Sequence, residues 1–326
     1  MWNYRFRWVE CQFKELESCP ESEDLLDQLL GSLPPSLDET YERMLLHIPK
    51  ASAQYARRLL TLLCCAKRPL TVPELIDGIA VDLGDTPKFN PKRKLKDVGA
   101  IHKVCPGLIE VDVNPRRSRT TVRIAHFSVQ EYLESERAVT TFSVRRSDAH
   151  AEIASICLTY LLEPALRDLI TKYPPKVGGV DPEDEEVYAK YPLVLYAAKT
   201  WYEHYCDGDK SAHFAEHQVL RLFRSSGAEF VNWVTIWNVD DYDGQRPSGK
   251  VPSPVYYASL LGLHSVLRQL LYESPSASSL STLSQQEISD LVNGQGGLHG
   301  NALQAASCKG HKHIVELLLE KGAVQG

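Results

Sequence analysis

The chain has 326 residues, 43% of them hydrophobic and 24% charged, with a formal net charge of −6. That length admits about two domains and a sizeable core, and the composition is that of an ordinary globular protein. The mild acidity gives no electrostatic footprint for nucleic acid, the apolar runs are too short for a membrane span, and Arg5, Arg7 and Glu10 break up any opening signal peptide. The eight cysteines are scattered without a CxxC spacing, so reduced thiols and a cytoplasmic setting are expected.

In chain order, the first helix spans about 2–18, with Phe6, Val9, Phe13 and Leu16 on one stripe. A second, about 22–30, carries Leu25, Leu26, Leu29 and Leu30 and stops at Gly31. In SLDETYERMLLHIP, Ser36 and Glu39 have capping-box spacing; Leu37, Tyr41, Met44, Leu45 and Ile48 form the inner face, and Pro49 ends the helix. These elements make a helical segment over 1–50. Ser52–Ala66 predicts a helix with Leu59, Leu62 and Leu63 inward. Thr71 and Glu74 give a second capping box, with Pro73 tolerated in the first turn. A basic helix is expected at about 92–105, its Leu95, Val98, Ile101 and Val104 inward and Gly107 past its end. LIEVDV (108–113) and TTVRIAHF (120–127) alternate with period two around NPRRSR and read as a β-hairpin. Ser128 and Glu131 suggest a third capping box, with Phe127 and Tyr132 at the staple positions. Three helices, a two-stranded wing and a closing helix make a winged helix over about 51–146.

From 147 to about 250 the pattern is a helical connector: 148–163 with Ile153, Ile156, Cys157, Tyr160 and Leu161, then 193–206 and 211–224. YPPKVGGVDPEDEE (173–186) reads as a loop and 238–254 as a linker. The remainder, 251–326, repeats itself. SPVYYASLLGLHSVLRQLL (253–271) aligns without gaps on NALQAASCKGHKHIVELLL (301–319), matching Ala258 to Ala306, Gly262 to Gly310 and Val266 to Ile314. The separation of 48 is a 33-residue period plus an insertion, which SPSASSLSTLSQQ would hold. Small residues at a helix contact, glycine at the turn and paired leucines read as ankyrin repeats. Two are legible, and about three are usually needed for stability, so an incomplete array is expected. Leu260, Leu263, His264, Lys309, His311 and Lys312 are the candidate partner-binding residues. The fold class expected is mainly α, with a two-stranded wing and a partial solenoid.

Few motifs carry chemistry. GQRPSGK (244–250) satisfies GxxxxGK, but Val251 and Pro252 follow where a magnesium-binding hydroxyl and a helix are needed, and Asp240, Asp241 and Asp243 precede it. No GxSxG, HExxH or paired CxxC is present, so no enzyme is expected. His213 and His217 lack a third metal ligand, and Cys308, His311 and His313 read as turn decoration. KRKLK (92–96) sits where DNA-binding winged helices enter the major groove, which keeps a DNA-binding protein as the alternative, beside a degenerate fragment without independent role. His126, in RIAHFSVQEYL between wing and helix, is either a core histidine or one that reaches an outside acceptor.

FRWVECQFKEL, LPPSLDETYERML, RPLTVPELIDGIAV, CPGLIEVD and VRIAHFSVQEYL resemble, in this order, the part of fungal NACHT–ankyrin proteins that follows the nucleotide-binding core. These are NLR-like STAND signalling proteins, and their winged-helix segment is similar to that of a GPI inositol-deacylase, here without deacylase chemistry. The resemblance covers residues 3 to about 240. It implies that the histidine of H-x-S-x-Q-E-[FY], here His126, contacts the β-phosphate of ADP when a NACHT core is supplied. A hydrogen bond to a charged group contributes roughly 1.5–3 kcal/mol, enough to bias a switch, whereas a millimolar complex already needs about 4 kcal/mol. The chain lacks the phosphate loop, the Walker B acid and the sensor arginine. No cofactor of its own is therefore expected; ADP or ATP enters only with a NACHT core, in cis or in trans. The expected partners are that core and a protein bound by the repeats, with no nucleic acid and no membrane.

Overall fold

The computed structural model describes residues 2–17, 22–114, 119–172, 186–209, 213–224, 228–240, 251–272 and 283–324. Eighteen α-helices and five short strands lie among them, so the chain is mainly α with a small antiparallel sheet. It divides into two compact units, Met1–Asp82 with Asn90–Ile153, and Leu83–Phe89 with Ala154–Gly326. The turn at 115–118, the loop at 173–185, the GxxxxGK string at 244–250 and most of the Ser/Gln-rich insertion lie outside the described residues.

The first unit opens with α1 (Trp2–Glu17) and α2 (Glu23–Ser32). Here amphipathicity misleads. The apolar stripe of α1 faces outward, with Phe6 69% and Phe13 61% exposed, while Arg7 and Gln12 on the opposite side are buried. Polar bonds hold that side. Trp8 Nε1 donates to the Pro34 carbonyl at 2.9 Å, Gln12 Nε2 to Thr40 Oγ1 at 3.1 Å and Arg7 Nη2 to the Gly107 carbonyl at 3.0 Å. In α2 no residue is buried, and the helix runs through Gly31 to Ser32. Alanine would serve as well at Gly31 in that helix, since nothing lies near its Cβ position.

The helices α3 (Leu37–Leu46), α4 (Lys50–Cys65) and α5 (Val72–Ala80) build the winged-helix core from Tyr41, Leu45, Leu59, Leu62, Leu75 and Ile79. Ser36 Oγ accepts from the Glu39 N–H; its hydroxyl donates to the Glu39 carboxylate, so the reciprocal half of that capping box is replaced. The Thr71–Glu74 box is complete, and Arg68 clamps Glu74 at 2.9 and 2.6 Å. Just before it, β1 (Leu70–Thr71) adds a third strand to the wing. Further on come the short strands β2 (Val81–Asp82) and β3 (Lys88–Phe89), a 3-10 turn at Pro91–Arg93 and α6 (Val98–Val104). The expected basic helix is thus shorter, because Pro91 and the cap at Asp97 leave 94–97 outside it.

The wing consists of β4 (Ile109–Asn114) and β5 (Arg119–Ile124), antiparallel with Val111 opposite Val122 and Ile109 opposite Ile124. Leu70 pairs with Val122 and Thr71 with Thr121, giving the sheet order β1-β5-β4. β5 ends at Ile124, so 125–127 are not strand, and α7 (Phe127–Leu133) follows. Glu152, on α8 (Arg146–Leu161), takes ion pairs from Arg57 and Arg58 at 2.8 and 2.6 Å. The boundary between the units falls inside α8, whose Ile153, Ile156, Cys157, Tyr160 and Leu161 are all buried.

In the second unit, α9 (Pro164–Lys172), α10 (Glu186–Lys190), α11 (Val194–Asp207), α12 (His213–Arg224) and α13 (Ala228–Ile236) gather Trp201, Phe223, Phe230 and Trp233 into an edge-to-face cluster, with Trp201 and Trp233 centroids 5.5 Å apart. The inner face of α13 mixes the aromatic Phe230 and Trp233 with Val234 and Ile236. The repeated sequence forms two helix hairpins, α14 (Pro254–Leu260) with α15 (His264–Tyr272), and α17 (Ala302–Lys309) with α18 (Lys312–Glu320). Between them lies α16 (Gln285–Val292), capped by Ser284. Each hairpin turn needs a left-handed residue, supplied by Gly262 at φ 76° and Gly310 at φ 75°. Ala258 and Ala306 are fully buried where α14 lies on α17, and α15 lies on α18. Asp240, at the edge of the expected linker, is buried, and it accepts from Tyr256 Oη at 2.8 Å and the Leu298 N–H at 2.6 Å.

Candidate functional site

His126 is the N-cap of α7, with φ −155° and ψ 146°. Its Nδ1 accepts the Ser128 N–H at 3.3 Å and lies 2.6 Å from Ser128 Oγ, which in turn lies 2.8 Å from Tyr41 Oη. Because the backbone N–H can only donate, Nδ1 is an acceptor and the ring proton sits on Nε2. Tyr41 then donates to Ser128 and Ser128 to His126. Burial, joined by the positive field of Arg7, holds the imidazole below its ordinary 6.5. Protonation would also replace the Nδ1 lone pair with a donor and break the cap. The half-buried ring therefore stands at the start of α7 as a neutral group whose Nε2 is the donor.

This replaces the expected cap. Ser128 lies inside the first turn of α7, so Ser128 and Glu131 do not hold the capping-box positions nor Phe127 and Tyr132 the staple positions, and Phe127 is 46% exposed. Spacing alone favours Ser128, since histidine is a rarer cap than serine. The other members of the cluster lie far off in sequence. Tyr41 is 87 positions from Ser128, and Arg7 approaches from α1; no local signal reveals them.

Two of the four cations in the basic run are ion-paired, while Lys92 and Lys96 are exposed. Lys94 Nζ is 2.7 Å from buried Asp77, and Arg93 is 3.7 Å from Asp82 while its guanidinium lies 5.2 Å from the Tyr55 ring centroid. Of the six partner-binding candidates, Leu260 and Leu263 are buried, 3% and 2% exposed, because they close the hairpin's own core. His311 is turned inward as well, its Nε2 3.2 Å from the Leu260 carbonyl. His264, Lys309 and Lys312 are exposed, and the His264 and His313 rings meet at 6.4 Å. The His213 side chain lies outside the described residues, and among these no group of three or more His, Cys, Asp or Glu is placed to hold a metal. No helix among them is long and apolar enough to cross a membrane. Of the seven described cysteines, only Cys206 and Cys308 are exposed; burial pushes the Cys65 thiol up to about 11 and Cys105 and Cys157 to about 12.

Residues 41–145 match the family model for the winged helix domain of GPI inositol-deacylase, and this stretch, with its three-stranded wing sheet and His126-capped helix, is a winged-helix domain. The match begins at Tyr41, ten residues ahead of position 51, and so takes in the hydroxyl that meets Ser128. Over its length the chain is 38% identical to "Azaphilone pigments biosynthesis cluster protein L" of Monascus ruber, across 333 residues that cover 98% of this chain and 66% of that relative. This chain thus spans 66% of the relative's length. No solved structure matches it.

Proposed function

We propose that the chain is a non-enzymatic regulatory and scaffold part of an NLR-like STAND signalling protein. Its winged helix docks on a nucleotide-binding NACHT core supplied in cis or in trans, and its helix hairpins, read as ankyrin repeats, hold a protein partner. The observation that carries this reading is the engagement of His126 Nδ1 by Ser128, which directs the Nε2 proton away from the cap. A neutral imidazole N–H offered beside the N-terminus of a helix suits a phosphate oxygen. One such bond contributes roughly 1.5–3 kcal/mol, or about a 10- to 150-fold bias between docked and undocked states. Support for the repeat reading comes from the paired glycine turns, the buried alanines between hairpins and the exposed His264, Lys309 and Lys312. The ion pairs of Lys94 and Arg93 argue against duplex DNA as the partner.

Calorimetry is the test. ADP titrated into the chain alone gives no heat, whereas an ADP-loaded NACHT module binds it, and His126→Ala weakens that complex by at least tenfold. Micromolar ADP binding by the chain itself, or a His126→Ala complex as tight as wild type, refutes the docking role.

A further inference from the structure

A hydroxyl can donate or accept, so a row of hydroxyls has no direction of its own. Such a row runs through the first unit from Tyr41 Oη by way of Ser128 Oγ to His126 Nδ1, in steps of 2.8 and 2.6 Å. The Ser128 N–H also faces Nδ1, but at 3.3 Å it is the longer of the two contacts on that nitrogen. Reversed, the row would carry the ring proton on Nδ1. The imidazole would donate to Ser128, Ser128 to Tyr41, and the Tyr41 proton would need an acceptor elsewhere. Tyr41 and Ser128 are buried, so that acceptor has to come from the protein. The other side-chain partner of the Tyr41 hydroxyl is Arg7 of α1. A guanidinium carries donors only and keeps its charge in a protein. Arg7 is buried and pinned in place, with Nη1 on the Glu10 carboxylate at 2.7 Å and Nη2 on the Gly107 carbonyl at 3.0 Å. Burial also holds Tyr41 above its ordinary range, so the phenol retains a proton to give.

We propose that Arg7 is a positioning residue for His126: as the donor-only end of the row Arg7–Tyr41–Ser128–His126, it fixes the imidazole with Nδ1 accepting and the Nε2 proton turned outward. Tyr41 meets only donors on the Arg7 side, so its own proton goes to Ser128, and the Ser128 proton goes to Nδ1. Arg7 asks for no further ligand in this role, since its charge is answered by Glu10. Because Arg7 belongs to α1, the seating of the lead-in helix decides how the winged helix presents its histidine. The phosphate as the group that receives the Nε2 proton rests on the docking reading above; the tautomer is a property of the chain alone.

Nitrogen NMR of the intact chain reads the two tautomers, with the His126→Asn spectrum identifying the His126 signals among those of the 11 histidines. Arg7→Gln replaces the donor-only end by an amide that also accepts, so Tyr41 can turn toward it. The Nδ1–H share of the neutral ring should then rise about 2- to 10-fold, the size of one ordinary hydrogen bond. Tyr41→Phe cuts the row at its middle and should raise that share by a similar factor. Arg7→Lys, which keeps a donor-only cation, should leave the ratio as in wild type. The midpoint of the ring moves in Arg7→Gln through loss of positive charge alone, so the tautomer ratio is the readout. Thermal unfolding identifies the folded variants, and Arg7→Gln and Tyr41→Phe are independent cuts, either of which suffices. An unchanged ratio in a folded Arg7→Gln or Tyr41→Phe chain, or an Arg7→Lys ratio moved as far as that of Arg7→Gln, overturns the proposal. Docking is judged separately, by titration with the NACHT module, so the failure of one is not the failure of the other.

Discussion

The lead-in helix α1 and the hairpin helix α18 carry apolar residues at similar spacing, yet they use them in opposite ways. In α18 the period points inward: Ile314, Leu317 and Leu318 are buried against the neighbouring hairpin. In α1 the same kind of stripe points out, and the helix is held by Arg7, Trp8 and Gln12 through directional bonds to Gly107, Pro34 and Thr40. Periodicity thus locates a helix but does not choose its inner side. The choice belongs to the partners available, here carbonyls and a hydroxyl that would otherwise lose their hydrogen bonds on burial.

Measured stability should separate the two modes. The largest loss is expected for Leu318→Ala, about 2–5 kcal/mol, because the α15–α18 contact is left with a cavity. Arg7→Met should cost roughly 1–3 kcal/mol, since the Gly107 carbonyl loses its donor although apolar bulk is retained. His126→Ala should cost about 1 kcal/mol through loss of the cap, and His126→Asn should restore most of it. Phe13→Ser should fall within about 0.5 kcal/mol of wild type, because the ring is solvated already. Urea unfolding followed by circular dichroism checks all five variants; a Phe13→Ser loss as large as that of Leu318→Ala would erase the distinction between the helices.

Much of the fold was legible. The Thr71–Glu74 box, the wing hairpin and the paired helix hairpins all follow from local spacing, which is where hydrogen bonds between near neighbours decide conformation. What escaped depended on distant chain. β1 is two residues long and exists because Val122 and Thr121 lie beside it. Helix α13 buries Phe230 and Trp233 in a cluster with Trp201 and Phe223 that come from other helices. At the candidate site His126 itself was legible, but its role as the cap was not. Serine outranks histidine as a cap on local grounds, and the outcome turns on Tyr41, which binds the Ser128 hydroxyl from α3.

The depressed basicity of His126 also sets a pH dependence. The unfolded chain takes up its proton near 6.5 and the folded chain only at lower pH, so this contribution is complete above 6.5 and is lost as acid carries the pH down through the folded value. In His126→Asn that part of the acid sensitivity should vanish.

The most direct measurement is nitrogen NMR of the His126 ring across that range. A neutral Nε2–H tautomer, with Nδ1 unprotonated and a midpoint below 6.5, is the predicted result. An Nδ1–H tautomer, or a midpoint at or above 6.5, would contradict the capped, outward-donating histidine on which the docking account depends.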